Sequence, residues 1–322
     1  MDKTGYERYG LTGNPFRDLS SESLDNVELF HVRQKADDDL HGILEEVAAK
    51  ENKAVVALLG GLGAGKTERL LMLQAESRRN GIFLVMRNIT AETRWVIKVI
   101  CEGMIEAAKG KKKGLFSSPP WQRNLTKLAK NISKGYDPEQ AGVAIAEALN
   151  QNAPAILMLN DLHTLQRDED TDRFMHALHV IFDRIDKGVM VMITSDAGYF
   201  DYLMIGKESL VARINKMIAI QPLNGQEACL MIAKRLLSKR VVEDMQPLYP
   251  FTEKSVMVMN ESVKGNPREL LKAADRVIDQ AATKRVIQVD EDFVKSVLGD
   301  GAESKDKPEE SCPPAVDVPA TS

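Results

Sequence analysis

The sequence predicts an α/β fold: a five-stranded parallel sheet followed by an all-helical C-terminal lid. Three observations carry this. Five short apolar runs, AVVALL (54–59), GIFLVMRNI (81–89), AILML (155–159), GVMVMIT (188–194) and KMIAIQPL (216–223), are separated by stretches with helical spacing. Strands alternating with helices argue for parallel pairing, and near-continuous apolar runs suit strands covered on both faces. After Leu223 strand signals largely stop, and helical patterns over 225–240, 252–263, 267–284 and 290–298 take their place.

In chain order, residues 1–30 read as an irregular segment with turn formers around GLTGNPF. Residues 32–50 have helical spacing through Leu40, Ile43, Leu44 and Val47. A helix is expected after the first strand, another over about 91–108, a third over 138–151, and a fourth over DTDRFMHALHVIFDRI. The last residues, GAESKDKPEESCPPAVDVPATS, are rich in proline, serine and charge and are expected to be disordered. The expected units are therefore an N-terminal segment (1–30), a nucleotide-binding α/β unit (31–223), a helical unit (224–299) and a tail (300–322).

Composition narrows the function classes. The 322 residues suggest about two domains, and 43% hydrophobic with 28% charged residues is ordinary for a globular protein. A net charge of −4 gives no overall attraction to nucleic acid or anionic lipid, so such contacts would need a local patch. Cys101, Cys229 and Cys312 are scattered without metal-ligand spacing, which reads as free thiols in a reducing compartment. The N-terminus lacks an apolar signal core, and no run approaches the roughly 18 residues of a membrane span. A cytoplasmic protein with no membrane contact is expected.

The chemistry starts at LLGGLGAGKTERLL (58–71). Gly60, Gly61, Leu62, Gly63, Ala64, Gly65, Lys66 and Thr67 fit G-x-x-x-x-G-K-[ST] between a predicted strand and a predicted helix. Glycines let backbone N–H groups turn inward around phosphates. Lys66 would reach the β- and γ-phosphates, Thr67 would ligate Mg²⁺, and the adjacent Glu68 belongs to the same nucleotide-contacting segment. ATP and Mg²⁺ are the expected cofactors.

Hydrolysis needs an acid at the end of a neighbouring strand and a group that orients water. The candidates are Asn160 and Asp161 in AILMLNDLHTL, where Asp then Glu would be usual. In one register Asn160 offers only an uncharged oxygen to the metal shell. In the other Asp161 is the metal acid and Leu162 stands where the water-orienting group belongs. Either way the pair is incomplete, so hydrolysis is expected to be weak. Thr194, Ser195 or Asp196, at the end of the fourth strand, would emerge beside the γ-phosphate. Arg213, just before the fifth strand, and Arg268, opening a helix of the second unit, could each be supplied to a phosphate from another domain or subunit.

These features together resemble an AAA+ ATPase. More narrowly they are similar to the clade of origin-recognition and initiator ATPases, general secretion pathway protein A and transposition-regulator ATPases. The resemblance rests on GLTGNPF, the Gly60–Thr67 loop, ILMLND and GNPREL, and covers roughly residues 8–298. It implies that GLTGNPF and the following helix flank the adenine. Ser195 would stand at the sensor-1 position and Arg268 at sensor 2. Arg213 would be the arginine finger acting on a neighbouring subunit, hence a homo-oligomer. Asn160 departs from the pattern, and NDLHTL is also similar to the DDLH form of signalling STAND ATPases, which are slow nucleotide switches. Initiators carry a C-terminal winged helix, whereas here a short tail follows the helical unit, so contact with double-stranded DNA would need another surface. Residues 109–134 hold eight Lys/Arg, among them Lys111, Lys112, Lys113 and Arg123, and no acid. With Trp121 and Phe116 available to stack, this segment is a candidate for DNA, or alternatively a solvated loop or a docking surface for a protein partner. The readings that follow are a nucleotide-dependent oligomeric switch that positions a partner, a non-catalytic nucleotide-holding scaffold, or a secretion ATPase.

Overall fold

The computed structural model describes residues 5–17, 24–109, 118–166, 168–242 and 244–299, without the side chains of 24–26. Five strands, β1 (Ala54–Leu59), β2 (Phe83–Asn88), β3 (Ala155–Asn160), β4 (Val189–Ser195) and β5 (Lys216–Ala219), form one parallel sheet in the order β2-β3-β4-β1-β5. The helices are α1 (Leu24–Phe30), α2 (Lys35–Ala48), α3 (Lys66–Arg79), α4 (Val96–Lys109), α5 (Pro120–Asn131), α6 (Pro138–Gln151) and α7 (Glu169–Arg184). They continue with α8 (Ala197–Met204), α9 (Glu208–Val211), α10 (Gly225–Leu237), α11 (Glu253–Ser262), α12 (Pro267–Lys284) and α13 (Glu291–Gly299).

The central strands β1, β3 and β4 are covered on both faces, whereas the edge strands β2 and β5 are only partly buried. Side chains alternate across a strand, so Val55, Ala57, Leu157, Val191 and Ile193 join one core with α4 to α7. Val56, Leu58, Met158, Met190 and Met192 join another with α2 and α3. A third core lies among α10 to α13. The β1 strand is flanked by β4 and β5, so the chain leaves it across the sheet to reach β2. The loop after β1 thus opens at the carboxyl ends of the strands, where ligands bind in such sheets.

Several expectations are corrected. Leu24–Phe30 is helical, with Val27 fully buried, so the first thirty residues are not irregular throughout. The GLTGNPF segment packs on the helical body. Phe16 is buried edge-to-face on Phe251 at 6.1 Å, and the Asn14 amide donates to Asp275 and Asp279 of α12. Residues 120–131 form α5 rather than a loop: Pro119 is its N-cap, Pro120 its first residue, and Trp121 and Leu125 seat it on the core. Trp121 is 7% exposed and meets Phe83 edge-to-face at 6.3 Å, so its faces are spent on the core and not open to a base. The fourth helix starts at Val96, after a Thr90–Thr93 turn, instead of at 91. Strand β5 stops at Ala219. Cys101 is buried and Cys229 half-buried, both unpaired. Lys111, Lys112, Lys113 and Phe116, Cys312, and the tail after Gly299 lie outside the described residues.

Candidate functional site

The glycine loop runs from the end of β1 into the first turn of α3, its start tied by Gly60 N–H to the Ser195 carbonyl at 3.2 Å. Gly63 has φ +78°, and a Cβ there would stand 2.7 Å from Cβ of Arg268, so glycine is required twice over, by conformation and by the close approach of α12. Asn266, the N-cap of α12, donates its side-chain amide to the Leu62 carbonyl at 2.8 Å. The helical body is therefore bonded directly to the loop.

Lys66 opens α3 with only 6% exposure, and its Nζ donates to the carbonyls of Gly60 at 2.7 Å and Gly61 at 3.1 Å. Burial holds its pKa below the ordinary lysine value, assisted by Arg268 and opposed by Asp161 and Asp196. A partly buried ammonium beside unpaired N–H groups of a helix N-terminus attracts an anion. A cleft of about 460 Å³ lies here between residues 62–68, Asp161 and His163 on one side and Met231, Arg235 and Arg268 on the other, with Phe30 at its edge.

The wall facing the loop is made of strand ends. Asn160, 1% exposed, is fully engaged: its amide nitrogen lies 3.2 Å from Thr67 Oγ1, 3.2 Å from Asn88 Oδ1 and 2.9 Å from Asp161 Oδ2. Its Oδ1 accepts from the Thr194 hydroxyl at 2.7 Å, while Thr194 Oγ1 accepts the Asp161 backbone N–H at 2.9 Å. The amide orientation follows from this network. Reversed, Asn160 would turn an oxygen toward the oxygens of Asn88 and Asp161 and leave the Thr194 hydroxyl without an acceptor. The expectation that Asn160 keeps an oxygen for the metal shell is thereby corrected, because the group it turns to Thr67 is a donor. Asp161 leaves the strand with φ +63°, a left-handed conformation that aspartate tolerates, and its carboxylate lines the cleft. The Thr67 hydroxyl and the Asp161 carboxylate are a donor set that fits Mg²⁺ held largely by phosphate oxygens and water.

The remaining expected residues fall in three places. Arg268 lines the cleft from the second position of α12. Ser195 ends β4 opposite Leu59, fully buried, with no hydrogen-bond partner for Oγ among the described residues. It does not open on the cleft as a sensor would, and Thr194 is the hydroxyl that reaches Asn160. Arg213 precedes β5, at the end of the sheet away from the loop, and is ion-paired with Asp183 of α7. It does not meet its own chain's cleft. Arg123 is exposed on α5, remote from the loop in sequence. Of GLTGNPF and the helix after it, expected to flank the base, the first packs on the helical body and does not line the cleft, while Phe30 at the end of α1 does, its ring 4.0 Å from the Arg235 guanidinium carbon. Asn88 and Phe30 escaped the sequence reading. Thr194 was one of three candidates there, but nothing local marks Asn88 or Phe30, since their partners are far along the chain.

No family model matches the sequence, and no curated protein does. Solved structures share the fold. Pyrobaculum aerophilum Cdc6p is similar with a TM-score of 0.56 at 12% identity, covering 90% of this chain and 71% of that one. The Aeropyrum pernix ORC2 protein, in its ADPNP–ADP complexes, gives 0.55 at 13% identity, covering 85% and 68%. The Aeropyrum pernix ORC1 protein, in complex with DNA, gives 0.53 at 15% identity, covering 86% and 67%. The chain shares the fold of these structures, the AAA+ α/β fold with its five-stranded parallel sheet.

Proposed function

We propose that the chain is a nucleotide-dependent switch that binds ATP with Mg²⁺ in the loop cleft, hydrolyses it slowly, and in its ATP form assembles with further copies to position a partner on double-stranded DNA. The observation that carries this reading is the contrast within one cleft. The loop is complete and wired to the helical body through Asn266 and Arg268. The opposing wall presents the Asn160 amide where a metal-binding acid belongs. Lys66, Thr67 and the α3 N-terminus would hold the phosphates, Asp161 would complete the metal shell, and Arg268 would report closure of the helical unit (224–299) on the α/β unit (31–223). Arg213, at the far end of the sheet, suits a role on a neighbouring copy.

For DNA, the supporting feature is the exposed face of α5 and the turn after it. Arg123, Lys127, Lys130 and Lys134 recur at spacings of 4, 3 and 4, one helical stripe, all exposed. None has an ion-pair partner among the described residues. Such a stripe would follow phosphates without reading bases. The ORC1 structure that shares the fold is itself a DNA complex.

Size-exclusion chromatography with light scattering, with and without ATP and duplex DNA, tests the reading. An increase in mass with ATP, and a DNA complex that forms only with ATP and weakens steeply with salt, are expected. A mass unchanged by nucleotide and DNA, with ATP bound, would favour the second reading, a nucleotide-holding scaffold, for which the amide at Asn160 also speaks.

A further inference from the structure

His31 lies between α1 and α2, outside every motif of the sequence, with its side chain 7% exposed. Both ring nitrogens face carboxylates: Nδ1 is 2.9 Å from Glu68 Oε1 on α3, and Nε2 is 3.0 Å from Asp37 Oδ1 on α2. A neutral imidazole donates from one nitrogen only and would aim its other lone pair at a carboxylate oxygen. The site therefore selects the imidazolium. Burial works against that charge, but the hydrogen bonds and charges of Asp37 and Glu68 outweigh it and raise the pKa to about 8.

The residues around His31 join the loop to the helical body. Arg69, on the turn of α3 after the loop, pairs with Asp37 at 3.2 Å and donates to the Gly65 carbonyl at 3.3 Å. Its other end donates to Gln34, which in turn donates to Glu227 of α10 at 2.9 Å. Lys234 of α10 donates to the His31 carbonyl, and Arg235 of the same helix packs on Phe30. We infer that His31, in its imidazolium form, is a positioning residue that clamps α10 of the helical body to the glycine loop and so makes nucleotide affinity proton-dependent. This rests on the reading of the cleft as a nucleotide site.

The groups facing the ring from each element give the direction. Glu68 of α3 and Asp37 of α2 meet the ring itself, and Arg69, Glu76 (paired with His41 of α2) and Arg33 (paired with Asp38) line the small cavity beside it. From α10 the contact is Lys234, on the main chain. The pKa in the fold lies above the ordinary 6.5, so the clamp is fully present below that value and is lost as pH rises through about 8. Without its proton, His31 can donate to only one of the two carboxylates; Asp37 is held as well by Arg69 and the Gln34 N–H, so the bond to Glu68 of α3 is the one lost.

Two measurements test this. The first is an NMR titration of the His31 ring in the intact chain, which should give a midpoint near 8; a midpoint at or below 6.5 overturns the inference. The second is calorimetric affinity for Mg-ATP at pH 7 and pH 9. Wild type should weaken by up to about tenfold, the fall in the imidazolium fraction for a midpoint near 8. His31→Gln should be weak at both values, and His31→Arg should keep the pH 7 affinity at pH 9. Because Lys66 is common to all three proteins, an equal slope in wild type and His31→Gln would assign the effect to Lys66 and overturn the clamp. If wild type fails to bind Mg-ATP at pH 7, the nucleotide reading falls. Hydrogen exchange of α10 across pH 7 to 9 without nucleotide, expressed as protection factors after dividing out the base-catalysed intrinsic rate, then decides the clamp: protection lost with a midpoint near 8 is expected, and a protection factor constant over this range overturns it.

Discussion

The two walls of the cleft are built on different principles. The loop side concentrates charge: Lys66, the N–H groups opening α3, and Arg268 approaching from α12. The strand side keeps one carboxylate, Asp161, beside a neutral network of Asn88, Asn160 and Thr194 bonded within the protein. In the proposed site, capture of an anion and activation of water would thus be separable. The first needs a preorganised field, which backbone and one lysine supply. The second would need one acid for the metal and another to orient water, and of that pair the wall keeps Asp161 while position 160 carries an amide bonded to Thr194 and Asn88.

The comparison breaks first on the loop side. Lys66→Ala removes the ammonium proposed to hold the phosphates, and charge-assisted hydrogen bonds of about 1.5–3 kcal/mol each make a loss of ATP affinity of about 100-fold or more the expected result. Stability should hardly change, since the lysine only folds back on two carbonyls. Calorimetry together with urea unfolding checks both halves, and unaltered affinity would end the phosphate-loop reading.

On the wall side the pattern should reverse. Thr194→Val leaves Asn160 Oδ1 and the Asp161 N–H without partners in a fully buried spot, which costs about 2 kcal/mol in unfolding free energy. Affinity for ATP should move only a few-fold. A stable variant with abolished binding would mean that the wall, too, belongs to the capture apparatus.

The smallest effect sharpens the contrast. Asn160→Asp combined with Asp161→Glu gives the wall the usual pair of acids, and turnover should rise by about tenfold from a starting value below roughly 1 s⁻¹. Asn160→Asp alone sets a carboxylate against Asp161, at the place where the amide now sits 2.9 Å from Oδ2. That variant should therefore depend more strongly on Mg²⁺. Phosphate release across a Mg²⁺ series measures both, and a double variant no faster than wild type would place hydrolysis outside what this cleft does.

The sequence alone determined the five strands, the parallel pairing, the glycine loop and the helical C-terminal body, because each is written in local signals. Apolar runs of strand length, helical periodicity and glycines at fixed spacing need no knowledge of what lies across the molecule. Residues 109–134 show where local signals stop. Their charge was legible, but charge does not tell a stripe on a helix from a loop, and Trp121 turned inward because Phe83, 38 positions earlier, offers it an edge. The same holds at the site. The sequence marked Asn160 as a departure, yet which end of its amide faces Thr67 was decided by Asn88 and Thr194, 72 and 34 residues away. His31 drew no notice as a lone histidine, and only the fold brought Asp37 and Glu68 to its two nitrogens from separate helices. Hydrogen-bond direction and protonation are properties of an assembled neighbourhood in low dielectric, and tertiary packing is what assembles it.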